Sequence, residues 1–157
     1  MHGPLLPIAA AMAAALLLAA VPSRAQQSPP LGQWLTETKR GVVEVYPCAD
    51  KLCGRLVWLI EPIRRGAPAV DDKNPEPALR NRPLCGLTML GDFHQEDATH
   101  WDDGWIYDPD SGKTYHATMT LESGNALRVR GYVGIPLFGE SQHWTHADGT
   151  LGSCFKP

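Results

Sequence analysis

Histidines and carboxylates in polar segments are the first residues of this chain to test for chemistry. Asp92, His94 and His100 lie close together in the sequence and carry side chains of the kinds that bind zinc. A zinc site needs three or four ligands that converge with ordered spacing, and nothing in this spacing fixes such convergence. We therefore predict no metal site, and we expect residues 92–100 to form an exposed polar loop.

Two pairs of adjacent carboxylates raise the question of acid–base catalysis. Asp71 and Asp72 lie in a loop-like segment, and Asp102 and Asp103 precede a glycine as in a turn. General acid–base catalysis requires two groups on either side of a substrate with separated pKa values, which adjacent loop residues do not provide. We predict no catalytic residue and no cofactor. A hydrolase or metal-dependent enzyme that uses residues 71–72 or 92–100 stays open as an alternative.

A long segment rich in proline and arginine, residues 61–83, interrupts the pattern of the chain. Connections of this length are usually functional lids or disordered segments, and we favour an ordered loop with a short helical turn over residues 77–81. The alternative is a solvated linker. Its basic residues alternate with acids, as in a loop that pairs its charges or meets a ligand carboxylate, with Arg80 or Arg82 as the candidate anchor. The candidate ligand-binding residues are Asp71, Asp72, Asn74, Arg80, Arg82, Trp105 and Tyr107.

The elements that must position these residues are β-strands, because apolar and polar residues alternate with period two between turn residues. The strand-like runs are 33–36, 42–46, 54–60, 84–90, 105–107, 115–122, 127–133 and 141–146. About eight antiparallel strands remove their exposed edges by closing into an up-and-down β-barrel, which is wide enough for one small ligand. An open sandwich is the alternative. The predicted interior residues are Val43, Val45, Val57, Leu59, Ala117, Met119, Leu127 and Val129.

The first 25 residues read as a secretory signal peptide, with an Ala/Leu-rich run and small residues at Ser23 and Ala25. Cleavage after Ala25 leaves a polar stub, residues 26–30, and one domain, residues 31–157. An uncleaved anchor is the alternative, since the run is about long enough to span a bilayer. The run ends without a cysteine that could receive a lipid. We predict a periplasmic or secreted protein with no stable membrane insertion after cleavage.

Export to an oxidising compartment makes the four cysteines candidates for disulfides. Cys48 and Cys53 bracket a turn between two strand-like runs, so a bridge there would staple a hairpin. Cys85 and Cys154 would then tie the end of the chain to its middle. Sequence alone allows three pairings, and the spacing favours this one; two free buried thiols are the alternative.

Short motifs spread over most of the chain after residue 31 resemble a known family. They are Gly32-Gln33-Trp34-Leu35-Thr36, Val45-Tyr46-Pro47-Cys48, Leu52-Cys53-Gly54, Asp71-Asp72-Lys73-Asn74-Pro75, Gly86-Leu87, Gly104-Trp105-Ile106-Tyr107-Asp108-Pro109, Gly112-Lys113-Thr114-Tyr115 and Arg130-Gly131-Tyr132-Val133-Gly134. In this order they resemble the bacterial domain-of-unknown-function 2147 family. The resemblance implies an exported bacterial protein with a lipocalin-like (calycin) barrel.

One position departs from the family pattern. The family typically has an arginine two residues after its last tryptophan, where this chain has His146 after Trp144. The resemblance implies that the cation at this position packs over the tryptophan of the first strand, here Trp34, and closes one end of the barrel. A histidine is expected to make that contact less well.

Net charge and composition limit the partners. The formal net charge is -3 with acids and bases interspersed, so the basic patch typical of nucleic-acid binding is missing. We predict a non-catalytic periplasmic module that binds a small apolar or amphipathic ligand inside the barrel. The first alternative is a structural or interaction protein of the cell envelope with a solid barrel, whose protein partner the sequence does not identify.

Overall fold

A closed antiparallel barrel of eight strands forms the molecule. The structure, a computed structural model, describes residues 30–123 and 125–147 together with residues 3, 149, 151, 153 and 154. The barrel order is β1-β10-β9-β8-β7-β6-β3-β2, and β4 pairs with β5 in a separate small hairpin. The strands are β1 Gly32–Leu35, β2 Gly41–Cys48, β3 Lys51–Leu59, β4 Ile63–Arg64, β5 Ala67–Pro68, β6 Thr88–Gln95, β7 His100–Asp108, β8 Lys113–Ser123, β9 Ala126–Tyr132 and β10 Glu140–His146. The predicted up-and-down barrel is confirmed.

Apart from residue 3, the predicted signal peptide lies outside the described residues, and so does most of the polar stub. Within the described part of the chain, no helix has the length and apolar character needed to cross a membrane. The helical structure described there consists of two single 3-10 turns, Pro77–Leu79 and Pro136–Phe138. The first of them lies where a short helical turn was expected.

The predicted polar loop at residues 92–100 is wrong, because most of it belongs to β6 and β7. Asp92 and Asp103 have positive φ angles of 63° and 57°, and the pairing of β7 with β8 shifts register between Trp101 and Gly104. Such bulges turn polar residues outward and break the alternation that marks a strand in a sequence. For the same reason Asp102 and Asp103 lie within β7 instead of forming a turn.

Two glycines allow β6 and β7 to pack closely. A Cβ atom on Gly104 would overlap the ring of Phe93, which is completely buried, and one on Gly91 would lie 2.9 Å from the ring of Trp105. Each glycine therefore leaves room for an aromatic side chain of the neighbouring strand.

Aromatic side chains fill one end of the barrel. Trp34, Trp101 and Trp144 are each 1% exposed, and the Nε1 of Trp34 donates a hydrogen bond to the carbonyl oxygen of Pro30 at 2.9 Å. The ring of His146 meets that of Trp34 edge-on, with centroids 5.2 Å apart. His146 therefore occupies the position of the family's arginine and contacts the first-strand tryptophan.

The two disulfides join Cys48 to Cys53 and Cys85 to Cys154, the pairing that the spacing favours. The second bridge holds the end of the chain against β3, where the backbone N–H of Cys154 donates to the carbonyl oxygen of Val57 at 2.8 Å.

Val57 belongs to a second apolar cluster, with Val42 and Ala147, and not to the barrel interior as predicted. The pairing of β2 with β3 shifts register between Val42 and Val43, so that Val43 faces Leu56 and Val57 is the extra residue. A one-residue shift moves a side chain to the other face of a strand. Leu56 therefore takes the interior position, while Val43, Val45, Ala117, Met119, Leu127 and Val129 lie in the main core and Leu59 packs against it.

Candidate functional site

A cavity of about 790 Å³ opens at the end of the barrel opposite Trp34 and Trp101, and Trp144 forms part of its wall. Its walls come from the ends of strands and from four connections: residues 36–40, 60–87, 108–113 and 133–139. Antiparallel neighbours joined in sequence place these connections at the same end of the barrel. Small-molecule sites in proteins have volumes of about 300 to 1,000 Å³, so this cavity is of ligand size.

The buried part of the cavity wall is almost entirely apolar. Its buried side chains, apart from Tyr107, are Leu56, Leu84, Met89, Val129 and Trp144. The indole N–H of Trp144 already donates to the Oε1 of Gln142 at 2.8 Å. The deep part of the cavity therefore suits an apolar group, because its buried side chains are apolar and the indole N–H of Trp144 already has an acceptor.

Charged side chains surround the opening. Those that line it are Glu37, Arg40, Glu61, Arg64, Asp108, Asp110 and Glu140. Arg40 lies 3.9 Å from Asp110 in an ion pair whose two side chains are more than half exposed. Among the described residues, Arg64 and Tyr115 line the cavity and form no hydrogen bond or ion pair with another side chain. These two groups are free to donate hydrogen bonds to a ligand.

The connection between β9 and β10 is held in place by one arginine. Arg130 donates from Nε to the carbonyl oxygen of Pro136 at 2.7 Å and from Nη2 to that of Leu137 at 3.1 Å. Its Nη1 donates to the hydroxyl of Ser141 at 2.9 Å. Three hydrogen bonds from one guanidinium fix the conformation of this side of the opening.

Four of the sequence-predicted ligand-binding residues come together in a buried cluster: Asp71, Asn74, Arg82 and Tyr107. Asp71 is 0% exposed and accepts hydrogen bonds from the Tyr107 hydroxyl at 2.6 Å, from Asn74 Nδ2 at 2.8 Å and from Arg82 Nε at 2.9 Å. The Nη2 of Arg82 lies 2.8 Å from the same carboxylate and completes an ion pair. The guanidinium of Arg82 also lies over the Tyr107 ring, 5.7 Å from its centroid. The cluster ties the long loop to β7.

The polar side chains of this cluster form hydrogen bonds with one another. Burial and the neighbouring Asp71 carboxylate raise the pKa of the Tyr107 hydroxyl, so it stays a neutral donor at physiological pH. Asp71 accepts three hydrogen bonds, is paired with Arg82 and is closed to solvent, which suits a structural anchor. An acid or base in catalysis has to reach a substrate proton.

The remaining predicted residues lie apart from the cluster's centre. Asp72 is exposed, and Arg80 donates from Nε to the backbone carbonyl of Asn74 at 2.8 Å. Trp105 donates to Asp92 at 2.9 Å and lines, with Arg82 and Tyr107, a second cavity of about 660 Å³ beneath the long loop. Trp105 and Ile106 are adjacent on β7, so their side chains take opposite faces, and Ile106 lines the barrel cavity.

Asp92, Asp97 and Asp102, carboxylates of β6, β7 and the turn between them, each have their own partners. Hydrogen bonds from Lys51 and Trp105 lower the pKa of Asp92, and the bond from Lys51 has the larger effect. A hydrogen bond from the backbone N–H of Thr99 lowers the pKa of Asp97. The Nε2 of His100 lies 2.9 Å from the Oδ1 of Asp102. In the described part of the chain, no group of three His, Cys, Asp or Glu side chains converges in the manner of a metal site.

Sequence reasoning missed the residues that form the opening. Arg64 was noted only as one of several basic loop residues, and Tyr115 only as part of a strand. Gly131 also lines the cavity, where a Cβ atom would lie 3.5 Å from Ile106 and 3.6 Å from Tyr115. A glycine in the interior of a strand, followed by an apolar loop, was the available signal.

Comparison with known proteins supports the fold. The model of a family described as "Uncharacterized protein conserved in bacteria (DUF2147)" matches residues 32–146. A solved structure described as "Protein HP1028 from the human pathogen Helicobacter pylori belongs to the lipocalin family" is similar, with a TM-score of 0.67 and 22% sequence identity. The match covers 75% of this chain and 82% of that one. No curated protein matches this chain.

Proposed function

The chain belongs to the DUF2147 family of uncharacterized bacterial proteins, and from its barrel we propose a non-catalytic binding protein of the periplasm. Its ligand is one small amphipathic molecule, held with the apolar part inside the barrel and the polar part at the opening. The long loop, residues 61–83, forms one side of that opening.

The observation that carries this proposal is the uneven filling of the barrel. Trp34, Trp101 and Phe93 pack one end, whereas a cavity of about 790 Å³ is open at the other. An apolar group bound in that space would remove apolar surface of both ligand and protein from water, which favours binding by about 25 cal/mol per Å² of buried surface. A barrel that served only as a rigid scaffold would gain stability from filling this space with its own side chains.

The polar end of the ligand is assigned to Arg64 and Tyr115. Both line the cavity, and among the described residues neither has a side-chain partner. A guanidinium donates to a carboxylate or phosphate in a bidentate manner, and a phenol adds a single hydrogen bond. The first expectation, that Arg80 or Arg82 holds the ligand's carboxylate, stays a prediction; in the structure Arg82 is paired with Asp71.

Two features support a location outside the cytoplasm. The sequence begins with a segment typical of a signal peptide, and all cysteines of the described residues are paired in disulfides. Disulfides persist in oxidising compartments and are rare in the cytosol.

The test fills the cavity from a position that has room for a side chain. Gly131→Leu adds a side chain toward Ile106 and Tyr115. Thr118→Leu adds a similar group on the other face of the neighbouring strand β8, where the flanking residues Ala117 and Met119 are the buried ones.

Both variants are titrated with the fluorescent fatty acid dansyl-undecanoate. We expect the wild type and Thr118→Leu to bind it with similar Kd, and Gly131→Leu to bind at least about tenfold more weakly. Equal binding by all three proteins, or no binding by the wild type, would refute the proposal. Arg64→Gln tests the anchor and should weaken an anionic probe by about threefold to tenfold, with little effect on the matching alcohol.

A further inference from the structure

The opening of the barrel is flanked by two exposed apolar patches. The first, called here the hairpin lip, is formed by Ile60 and Ile63, each 57% exposed. The second, called the loop lip, is formed by residues 133–138, whose apolar side chains are Val133, Ile135, Leu137 and Phe138, with exposures from 53% to 77%. Exposed apolar groups gathered at one end of a molecule indicate a contact surface.

The two lips lie on different sides of the opening. The hairpin lip follows β3 and the loop lip follows β9, and the barrel order places β2, β1 and β10 between these strands on one side and β6, β7 and β8 on the other. Ile60, Val133 and Phe138 line the cavity as well as being exposed. The apolar surface is therefore continuous from the interior of the barrel to the lips.

Both lips are held in defined conformations. Arg130 fixes the loop lip through the carbonyl oxygens of Pro136 and Leu137. The hairpin lip adjoins the two-residue turn Arg65-Gly66 between β4 and β5, in which both φ angles are positive, at 52° and 78°. A pre-organised surface loses little conformational entropy when it binds.

From these observations we propose that the two lips dock the opening of the barrel onto a lipid bilayer, from which the cavity takes or delivers its amphipathic ligand. This inference rests on the proposed function and names the source of the ligand. In the docked state Ile135, Leu137 and Ile63 enter the acyl region, while Arg64 and Arg65 lie at the level of the headgroups.

The surface fits a bilayer better than a protein or a second copy of the chain. A stable protein interface buries about 800 Å² on each side over a contiguous, complementary surface. Here the apolar groups stand on separate lips with a cavity between them, which suits insertion of individual side chains into lipid.

Charge is compatible with an anionic surface. Over the connections 36–40, 60–66, 108–113 and 133–140, five cations balance five anions, although the chain carries a net charge of -3. Arginines directly follow Ile63, as in interfacial segments that combine an apolar anchor with basic residues.

Flotation with vesicles tests the inference, using protein purified after export. The vesicles contain phosphatidylethanolamine with about one third phosphatidylglycerol, a composition with a negative surface. The test variant is Ile135→Ser/Leu137→Ser, because neither side chain lines the cavity. The matched control is Leu31→Ser/Leu151→Ser, two exposed leucines outside the connections that form the opening.

We expect the wild type and the control to float with the vesicles. The lip variant should bind the vesicles about a hundredfold more weakly, because each of the two lost apolar side chains contributes about tenfold to the affinity. All three proteins should bind dansyl-undecanoate equally in buffer without vesicles. A wild type that binds this probe but not vesicles would overturn membrane docking and leave the proposed function standing.

Two other results would also decide against parts of this picture. Vesicle binding by a wild type that does not bind the probe would contradict the cavity function alone. A wild type that is dimeric in gel filtration, while the lip variant is monomeric, would overturn bilayer docking and assign the lips to a second copy of the chain.

Discussion

Replacing Asp71 with alanine should release the long loop from the barrel at a measurable cost in stability. The carboxylate is completely buried, accepts one hydrogen bond from each of Tyr107, Asn74 and Arg82, and forms an ion pair with Arg82. Removing one member of a buried pair costs about 3 to 5 kcal/mol. The Arg82 side chain is 36% exposed and can be rehydrated, so we expect the lower end, about 3 kcal/mol, or about 10 °C in Tm.

Urea denaturation of Asp71→Ala measures this loss, and Asp72→Ala is the matched control. Asp72 is the adjacent, exposed carboxylate, and its removal should change stability by less than about 0.5 kcal/mol. Trypsin should cleave Asp71→Ala faster at the arginines of the 61–83 loop. If the two variants lose the same small amount of stability, the cluster does not anchor the loop and our interpretation of it is wrong.

Three further predictions concern single groups. Tyr107→Phe should cost about 1.5 to 3 kcal/mol of unfolding free energy at pH 7. Because the folded state raises the pKa of Tyr107, the wild type should lose stability as the pH rises above about 10. The difference in unfolding free energy between wild type and variant, measured by urea titration, should therefore narrow above that pH. Gly104→Ala should lower the unfolding free energy by about 1 to 3 kcal/mol, because the added Cβ would overlap the buried ring of Phe93. Gly131→Ala should lower it by less than about 0.5 kcal/mol, because a Cβ there has ordinary contact distances. Equal losses for the two variants would contradict the packing described. Replacing both Cys85 and Cys154 by serine should lower stability by about 4 kcal/mol, against about 2 kcal/mol for the shorter disulfide loop, and the reverse order in calorimetry would refute the loop-entropy estimate.

Much of the fold could be predicted from the sequence because alternation and turn residues are local signals. In β8 and β9, buried residues alternate with less buried ones over residues 116–122 and 126–130, and the turn before β8 has Gly112 at a φ of 72°. The errors occurred where bulges interrupt alternation, at Val57, Asp92 and Asp103. A bulge depends on the partner strand, which the sequence of one strand does not reveal.

The site was less predictable than the fold for a similar reason. Asp71, Asn74, Arg82 and Tyr107 were identified by residue type, and they do meet, but their mutual hydrogen bonds depend on how the long loop folds back on β7. Whether a cation is neutralised by its neighbours or faces a cavity is a long-range property. Arg82 and Arg64 look alike in sequence, and the structure distinguishes the paired guanidinium from the one that faces the opening.

Whether the barrel carries a small amphipathic molecule is tested most directly by native mass spectrometry of the protein purified from the cells that naturally produce it. The same sample is measured again after denaturation, with Gly131→Leu prepared in parallel. We predict a complex heavier than the chain, release of one small molecule on denaturation, and a bare chain for Gly131→Leu. A bare wild-type chain, or an adduct that Gly131→Leu retains in full, would contradict ligand binding in the cavity.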